Sequence, residues 1–454
     1  MPSRASFAMD SWDADLHIHS PYSIAVSKTL NLDTMVHTAR KKGLRVIGTG
    51  DITQPDWRAY IEANLVRDGE SFVYDGVHFV LQVEIEDNKS VHHVVLLPSF
   101  AAVTQLAAIL RPKSKNIDAQ WGGRPHVDVP PAELVEAVAS TGGLIGPAHG
   151  FTPFKSIFRQ GRFSTLHECF EGAEKDVSFL ELGLSADTNI ADQMSCLADV
   201  TFVSNSDAHS QGPQSLGREF NRFEIDGPTF DEIADALWRK NKRRVSLNVG
   251  LDPRLGKYYV MFCKTCRRRV ITKVKGDAGV STNVSSEEGK KSLPFWQHAI
   301  SDQFITYSFT DAAARRQFLE AVEKKKVVCP ACTGKTKGKI NLGVSERIEI
   351  IADQPAATHP PHRPPYLDII PLVEMIRAVK GVKSASAASV IKIYDQLIAN
   401  LGPEFHILAD LPIDAIKREN SSIGTVIDAF RNHQITFVPG GGGTFGNISL
   451  PEFE

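Results

Sequence analysis

Long hydrophobic runs are missing: no stretch of the 454 residues approaches the ~20 consecutive apolar residues that cross a bilayer. The segment from Met1 to Trp12 holds an arginine but no continuous apolar core of the kind a secretory leader needs. These absences exclude a membrane partner from the expectations and point to a soluble, cytoplasmic protein, nucleoid-associated if the source is prokaryotic. Cysteine is scarce, with six in all, and four of the six fall in two C-x-x-C pairs, Cys263/Cys266 and Cys329/Cys332. In a long chain expected to be unsecreted this spacing favours metal over disulfide. Net charge is nearly absent, at -2. The glycine run at 440–443 lacks the Lys-Ser/Thr of a phosphate-binding P-loop, which argues against nucleotide binding.

What is present is ordinary globular composition, 42% hydrophobic and 23% charged, with length for two or three domains. From Asp15 to about Lys240 short apolar runs at 44–49, 79–85, 94–97, 144–147, 179–182 and 200–204 alternate with helical patterns at 32–42, 101–110, 132–140 and 230–240. Such alternation predicts parallel strands with crossover helices, and a β/α barrel is the favoured arrangement.

The chemistry is concentrated where the apolar runs end. In Asp15-Leu16-His17-Ile18-His19-Ser20 the two-residue period of an extended strand sends His17 and His19 to one face and Leu16 and Ile18 to the other. Further runs end in Asp51, Glu84, His149 and Asp207-Ala208-His209, and His92 or His93 heads another. Active sites of parallel barrels are built at the carboxyl ends of the strands, so these side chains are expected to gather over one mouth as a metal cluster. Mixed imidazole and carboxylate ligation suits Zn, Mn or Fe. A metal cluster lowers the pKa of bound water and neutralises phosphoryl oxygens, which fits phosphodiester cleavage.

Between Cys263 and Ile340 there are 16 Lys and Arg against 7 Asp and Glu, a net +9 that leaves -11 for the remainder. The four paired cysteines are expected to close one structural zinc site, decorated by the 62 residues between the pairs. Its expected task is to present Arg267, Arg268, Arg269 and nearby lysines to phosphates. The stretch 355–365 carries five prolines and reads as a semi-rigid linker, with His359 and His362 exposed on it. Helical patterns at 369–379, 385–401 and 423–432 then predict a small helical domain. The glycines that follow, Gly441 and Gly442 among them, are expected either to bring backbone amides against a phosphate or to form a plain flexible loop.

The H-x-H strand, Glu84, Pro147-Ala148-His149 and Asp207-Ala208-His209 resemble the polymerase-and-histidinol-phosphatase (PHP) superfamily of metal-dependent phosphoesterases. The order of modules, with Gly48-Thr49-Gly50-Asp51, Leu216-Gly217-Arg218-Glu219 and Pro439 to Gly443, is similar to the endonuclease Q family within it. This resemblance implies an α/β fold: a distorted barrel over 1–250, a basic four-cysteine zinc module over 251–352, a linker over 353–365 and a helical DNA-binding domain over 366–454. It implies catalytic residues His17, His19, Asp51, Glu84, His149, Asp207 and His209, with His93 joining them as metal ligands. Two or three catalytic divalent ions (Zn, Mn or Mg) and one structural Zn are expected. The chain departs from the wider superfamily at Ala25, where many members have a histidine, and at Gly50, where they continue Thr-Asp-His. The implied activity is incision of DNA on the 5′ side of deaminated bases (uracil, hypoxanthine, xanthine) and at abasic sites. A small-molecule phosphomonoesterase would use the same barrel but leaves the basic module unexplained, and a non-catalytic nucleic-acid-binding zinc protein leaves the full ligand set unexplained.

Overall fold

The structure is a computed structural model that describes residues 9–275, 296–332 and 338–450. The barrel strands are β1 (Asp10–Asp15), β2 (Val46–Gly48), β3 (Val66–Asp68), β4 (Ser71–Tyr74), β5 (Val77–Glu86), β6 (His92–Leu97), β7 (Leu144–Pro147), β8 (Phe179–Glu181), β9 (Thr201–Val203), β10 (Phe220–Ile225) and β11 (Arg244–Leu251). Ladders run β1-β2-β5-β6-β7, and β8 pairs with β9. Backbone hydrogen bonds link the remaining neighbours: Ser178 N–H to the Ile145 carbonyl (2.9 Å) joins β7 to β8, and His19 N–H to the Ala208 carbonyl (3.0 Å) with Ala208 N–H to the His17 carbonyl (3.4 Å) returns the chain beyond β9 to the end of β1. The result is a distorted β/α barrel.

The ring is not all parallel. β1-β2-β5 and β8-β9 are, but β5-β6 and β6-β7 are antiparallel. A five-residue turn explains the first reversal, because parallel neighbours need a crossover of a dozen residues or more. In that turn Asp87 accepts the amides of Lys89 (2.8 Å) and Val91 (2.9 Å).

The two-residue period decides which side chains fill the ring. Ala14, Leu16, Val46, Val80, Val94, Leu96, Leu144, Phe179 and Val203 form one buried cluster, one or two from each strand. Their neighbours Ile47, Phe79, Leu81, Val95, Leu97, Ile145, Leu180 and Phe202 join a second cluster with helix residues Met35, Val36, Leu106, Leu134 and Val138. The helix Leu32–Lys42 shows why these segments stay helical: Asn31 and Thr34 form a capping box, and Gly43 ends it in the left-handed region at φ 92°.

A second sheet contains β12 (Phe262–Cys263), β13 (Arg269–Val274), β14 (Trp296–Ile300), β15 (Phe304–Phe309) and β16 (Ile340–Asn341), in the order β14-β15-β13-β12-β16. Helix Ala312–Glu323 packs Phe318 and Leu319 on it. The segment between the cysteine pairs is thus a sheet and a helix with a core of their own. The four helices Leu372–Lys380, Ala388–Leu401, Ile413–Glu419 and Ser421–Arg431 enclose another core around Tyr394, Val426 and Ile427.

The proline-rich stretch does not hang free. Arg363 is buried, stacks 3.4 Å from the Phe202 ring centroid and pairs with Asp192 at 2.8 Å. His359 stays exposed, as expected, yet its Nδ1 meets Asp192 at 2.7 Å, whereas His362 is half-buried with a buried Nε2 and so is not the solvent-exposed linker histidine expected. The strand that follows, β17 (Tyr366–Ile369), adds parallel to β11 at the edge of the barrel sheet. A hairpin of β18 (Thr436–Val438) and β19 (Asn447–Ser449) closes the described chain. No helix among the described residues is long and apolar enough to cross a membrane.

Candidate metal centre

Strand ends converge on one mouth, as the apolar runs predict. His17 and His19 continue β1, with Leu16 N–H bonded to Asn205 Oδ1 (2.9 Å) and Ile18 N–H to Gln82 Oε1 (3.2 Å) fixing the backbone. Asp51, His149 and Asp207 each stand just beyond a strand in the left-handed region, with φ of 42°, 32° and 48°. That conformation costs an L-residue on the order of 1–2 kcal/mol, and three such residues at one mouth are the pattern of a functional site. Gly50 is required beside Asp51: at φ 67° any Cβ would stand 2.9 Å from the Ile18 carbonyl oxygen.

Two groups of ligand atoms result, each gathered within 4.8 Å: His17, His19 and Asp207, and Glu84, His92 and His149. They adjoin, since Glu84 Oε1 lies 2.8 Å from His92 Nδ1, 3.0 Å from His149 Nε2 and 3.8 Å from His17 Nε2. Asp207 Oδ1 lies 3.1 Å from His19 Nε2 and 3.7 Å from His17 Nε2. Burial opposes charging of His17, yet the carboxylates of Glu181, Asp207 and Glu84 raise it to about 9. Burial likewise works against ionised Glu84, and Arg124 and His92 overcome it to hold the carboxyl well below its usual range. Such a field attracts cations. Among the described residues the buried His17 Nε2 and His92 Nδ1 have no hydrogen-bond partner although carboxylate oxygens surround them, which is the donor arrangement a divalent ion satisfies. The residues therefore fit the expected metals.

Several expected ligands stand elsewhere. His93 is replaced by His92, and the register gives the reason: His92 pairs with Glu86 across the β5-β6 ladder and shares the face of Glu84, whereas His93 pairs with Ile85 and faces the outer core. There His93 Nε2 meets Asp87 at 2.9 Å beside the Phe170 ring. Asp51 stands outside both groups: its Oδ1 takes His19 Nδ1 at 3.0 Å and its Oδ2 accepts the Ser20 amide at 2.7 Å. That is the place from which a carboxylate would orient a metal-binding histidine. His209 also stands outside, its Nδ1 2.9 Å from the Asp207 carbonyl and its ring 4.6 Å from that of His19.

Two residues of the centre were not foreseen. Glu181 holds His17 Nδ1 at 2.9 and 3.1 Å, and its only sequence signal is an acid inside the apolar run Phe179 to Leu182. Arg124 reaches in from a loop with no periodicity to read, pairing with Glu84 and donating to His19 Nε2 at 3.0 Å.

The four knuckle thiols are also assembled. Sγ of Cys263 and Cys332 are 3.6 Å apart, those of Cys266 and Cys329 3.8 Å. Four thiolates at ~2.3 Å from zinc would have edges of about 3.8 Å, so the spacing fits. The Thr265 and Cys266 amides each reach Cys263 Sγ at 3.4 Å. A Cβ at Gly338 would stand 2.6 Å from Cys263 Sγ, so only glycine leaves the thiols room.

The expected DNA contacts are partly corrected. Arg267 is exposed and Arg268 half-buried, but Arg269 is buried, donating to the Pro439 carbonyl (2.8 Å) and Gln303 (2.6 Å) over the Phe304 ring. It ties modules together instead of meeting phosphate. The Gly441 amide is spent on the Thr444 carbonyl at 3.0 Å. Gly442, at φ 66°, packs where a Cβ would lie 2.4 Å from the Arg267 carbonyl oxygen, so these glycines serve close approach between modules. The lysines at 290, 291, 335 and 337 lie outside the described residues.

A cavity of about 1070 Å³ opens over the centre, lined by His92, His149, Asp207 and His209 from the barrel and by Arg377, Lys383 and Phe445 from the C-terminal part. It exceeds the ~300–1,000 Å³ of small-ligand pockets.

Comparison with known proteins agrees. Residues 371–434 match the family described as MJ0043 C-terminal domain. The chain is 33% identical over 322 residues to the protein MJ0043 of Methanocaldococcus jannaschii, covering 70% of this chain and 33% of that protein, so it spans about one third of that relative's length. It is 29% identical over 455 residues to YqxK of Bacillus subtilis, covering 96% of this chain and 98% of that protein. The crystal structure of the lesion-specific endonuclease PfuEndoQ from Pyrococcus furiosus is similar with a TM-score of 0.79 and 34% identity, over 98% of this chain and 96% of that one. Endonuclease Q in complex with a 27-mer duplex bearing an abasic lesion at its active site gives 0.81 and 34%, over 98% and 97%. With its ligand-bearing strand ends, thiol cluster and C-terminal helices all inside that near-complete match, the chain belongs to the endonuclease Q family.

Proposed function

We propose that this chain is a metal-dependent DNA endonuclease that hydrolyses the phosphodiester bond 5′ of deaminated bases (uracil, hypoxanthine, xanthine) and of abasic sites. The observation that carries the proposal is the pair of ligand groups, His17/His19/Asp207 and Glu84/His92/His149, at the floor of an open cavity of about 1070 Å³ walled by cationic residues of another module. The full-length likeness to an enzyme bound to duplex DNA at an abasic lesion supports the substrate class. Two or three divalent ions held by these residues would activate water and neutralise the phosphoryl oxygens. The protein groups do the rest: Glu181 and Asp51 orient His17 and His19, and Lys257, Arg377 and Lys383 face the backbone of the strand. Deaminated bases pair poorly, which lowers the cost of bringing the damaged nucleotide out of the stack and into the cavity. In this reading residues 1–250 hydrolyse, 251–352 and 366–454 grip the duplex, and 353–365 strap the two together, acting on DNA in the cytoplasm.

The test uses end-labelled duplexes with one deoxyuridine, deoxyinosine or abasic site, and an undamaged control, incubated with Mg²⁺ or Mn²⁺ and run beside a size ladder. The expected result is a single nick immediately 5′ of the lesion, leaving 3′-hydroxyl and 5′-phosphate ends, and an intact control. His17→Ala and Asp207→Ala should abolish nicking while duplex affinity survives, because binding depends mainly on cations outside the centre. Equal cutting of both duplexes, or digestion from an end, would refute lesion-directed incision.

A further inference from the structure

Arg124 binds the metal centre through the same atoms that a metal would use. Its Nε pairs with Glu84 Oε2, and its Nη2 donates to His19 Nε2 at 3.0 Å. His19 Nδ1 is committed to Asp51, so the Nε2 lone pair is the free one, and it serves either an N–H donor or a cation but not both. Glu84 Oε1 is already shared by His92 and His149, which leaves Oε2 as the oxygen that Arg124 holds. Asp207 Oδ1 lies 3.1 Å from the same His19 nitrogen, so three acceptors, His19 Nε2, Asp207 Oδ1 and Glu84 Oε2, converge on one position that requires positive charge.

The main chain of the surrounding loop is pinned by its own contacts, and the side chain is held by Glu84 and His19 of the centre. The Arg124 carbonyl accepts Asn116 Nδ2 at 2.9 Å, the Pro125 carbonyl accepts the Glu86 amide at 3.0 Å, and Gly123 N–H reaches the Tyr22 carbonyl at 3.3 Å. A Cβ at Gly123 would stand 2.6 Å from both Asp51 and Ser23, so the main chain sits hard against the mouth. The guanidinium is a quarter exposed and lines the cavity beside Asp207 and His209.

We infer that Arg124 is a displaceable counter-cation: it competes with a divalent ion for His19 and Glu84 and, once displaced, turns into the cavity to hold the phosphate about to be cut. The planar guanidinium suits this second post, because its paired N–H groups match the geometry of phosphoryl oxygens. The competition follows from the centre alone; the phosphate contact rests on the proposed nuclease reading.

The experiment titrates zinc-replete full-length protein with Mn²⁺, reading free Mn²⁺ by electron paramagnetic resonance, for the parent, Arg124→Ala and Arg124→Gln. Both variants are expected to bind Mn²⁺ about tenfold more tightly, the scale on which one charge-assisted pair acts. At saturating Mn²⁺ both should nick the damaged duplex at least about tenfold more slowly, with a smaller change in duplex affinity. A residue that merely supported the fold would move Mn²⁺ affinity the other way. Gln keeps the polar contact without the charge and carries the test if the Ala variant fails to fold. Unchanged or weaker Mn²⁺ binding in the folded variants would overturn the inference even if the parent nicks as proposed. Tighter Mn²⁺ binding with no nicking by the parent would instead overturn the nuclease reading and leave the competition standing.

Discussion

His17 presents its Nδ1 to both carboxylate oxygens of Glu181, at 2.9 and 3.1 Å, and this pairing turns the opposite nitrogen toward Glu84 and Asp207. Glu181 is itself fixed, accepting the His149 amide on Oε1 and Asn205 Nδ2 on Oε2, both at 2.9 Å. One carboxylate therefore fixes the ring of one candidate ligand and the backbone position of another. Glu181→Gln must turn its amide nitrogen toward one of those two donors. Metal affinity is expected to fall by about 10–100-fold, the usual cost of losing such a partner, while circular dichroism stays unchanged. Retention of full affinity on direct titration with Mn²⁺ would show that His17 needs no such support.

Glu181 also marks the limit of what the sequence conveys. Asp51, Glu84, His149 and Asp207 are legible because each terminates an apolar run, and a strand end is a place that can be read from periodicity alone. His92 and His93 are adjacent, so choosing between them requires the β5-β6 register, which is a tertiary fact. Arg267, Arg268 and Arg269 look alike as a run of charge, and only packing shows that Arg269 is buried under Pro439 and Phe304. The alternation of strands and helices conveys the barrel but not its antiparallel stretch, because the Asp87 turn replaces a crossover helix with side-chain hydrogen bonds. Arg124 lies in a loop whose position follows from its contacts rather than from any pattern.

The knuckle thiols make a separate prediction. Burial opposes ionisation of Cys266, yet the Arg268 amide and guanidinium, with the neighbouring thiols, bring it down to about 7, ready for a cation. Cys263→Ser or Cys332→Ser leaves three sulfurs, and since zinc binding is coupled to folding, the loss appears as stability. Zinc content should fall, and the melting temperature with it by roughly 5 °C or more, as a loss of ~2 kcal/mol would give. Duplex affinity should weaken in parallel. A variant that keeps its zinc and its melting temperature would remove the four cysteines from a common site.

Stability should depend on pH through Glu219. Burial pushes its carboxyl up to about 8, with Leu251 N–H donating to Oε1 at 2.9 Å and Oε2 left without a hydrogen-bond partner among the described residues. The unfolded chain ionises this group near its ordinary value, so between about pH 4.5 and 8 the folded state holds a proton that the unfolded state has lost, and stability falls as pH rises. Glu219→Gln preserves the acceptor and removes the ionisation. Its melting temperature should exceed that of the parent at pH 8.5, and the gap should close toward pH 5. A gap that is constant with pH, or that widens in acid, would mean that the buried carboxyl is charged.

The barrel and the C-terminal helices are joined by a buried ion pair, Lys42 Nζ to Glu404 Oε2 at 2.8 Å, with both side chains about 2% exposed. Burial lowers the Lys42 pKa, and Glu404 opposes that drop. Glu404 has donors besides Lys42, the Tyr394 hydroxyl at 2.9 Å on Oε2 and the Leu372 amide at 3.0 Å on Oε1, whereas the ammonium has no other anion in contact among the described residues. Removing one charge strands the other in a nonpolar setting, so Lys42→Met or Glu404→Gln alone is expected to cost about 3–5 kcal/mol. The losses should not add. With Lys42→Met and Glu404→Gln together no charge is stranded, the amide still accepts from Leu372 or Tyr394, and most of the stability should return. Because Lys42 ends the helix that backs the barrel and Glu404 caps the helical core around Tyr394, the single variants should also loosen one module against the other. Denaturant melts should then separate into two transitions in the single variants and merge again in the double variant. Additive losses across the cycle would show that the pair contributes through packing alone.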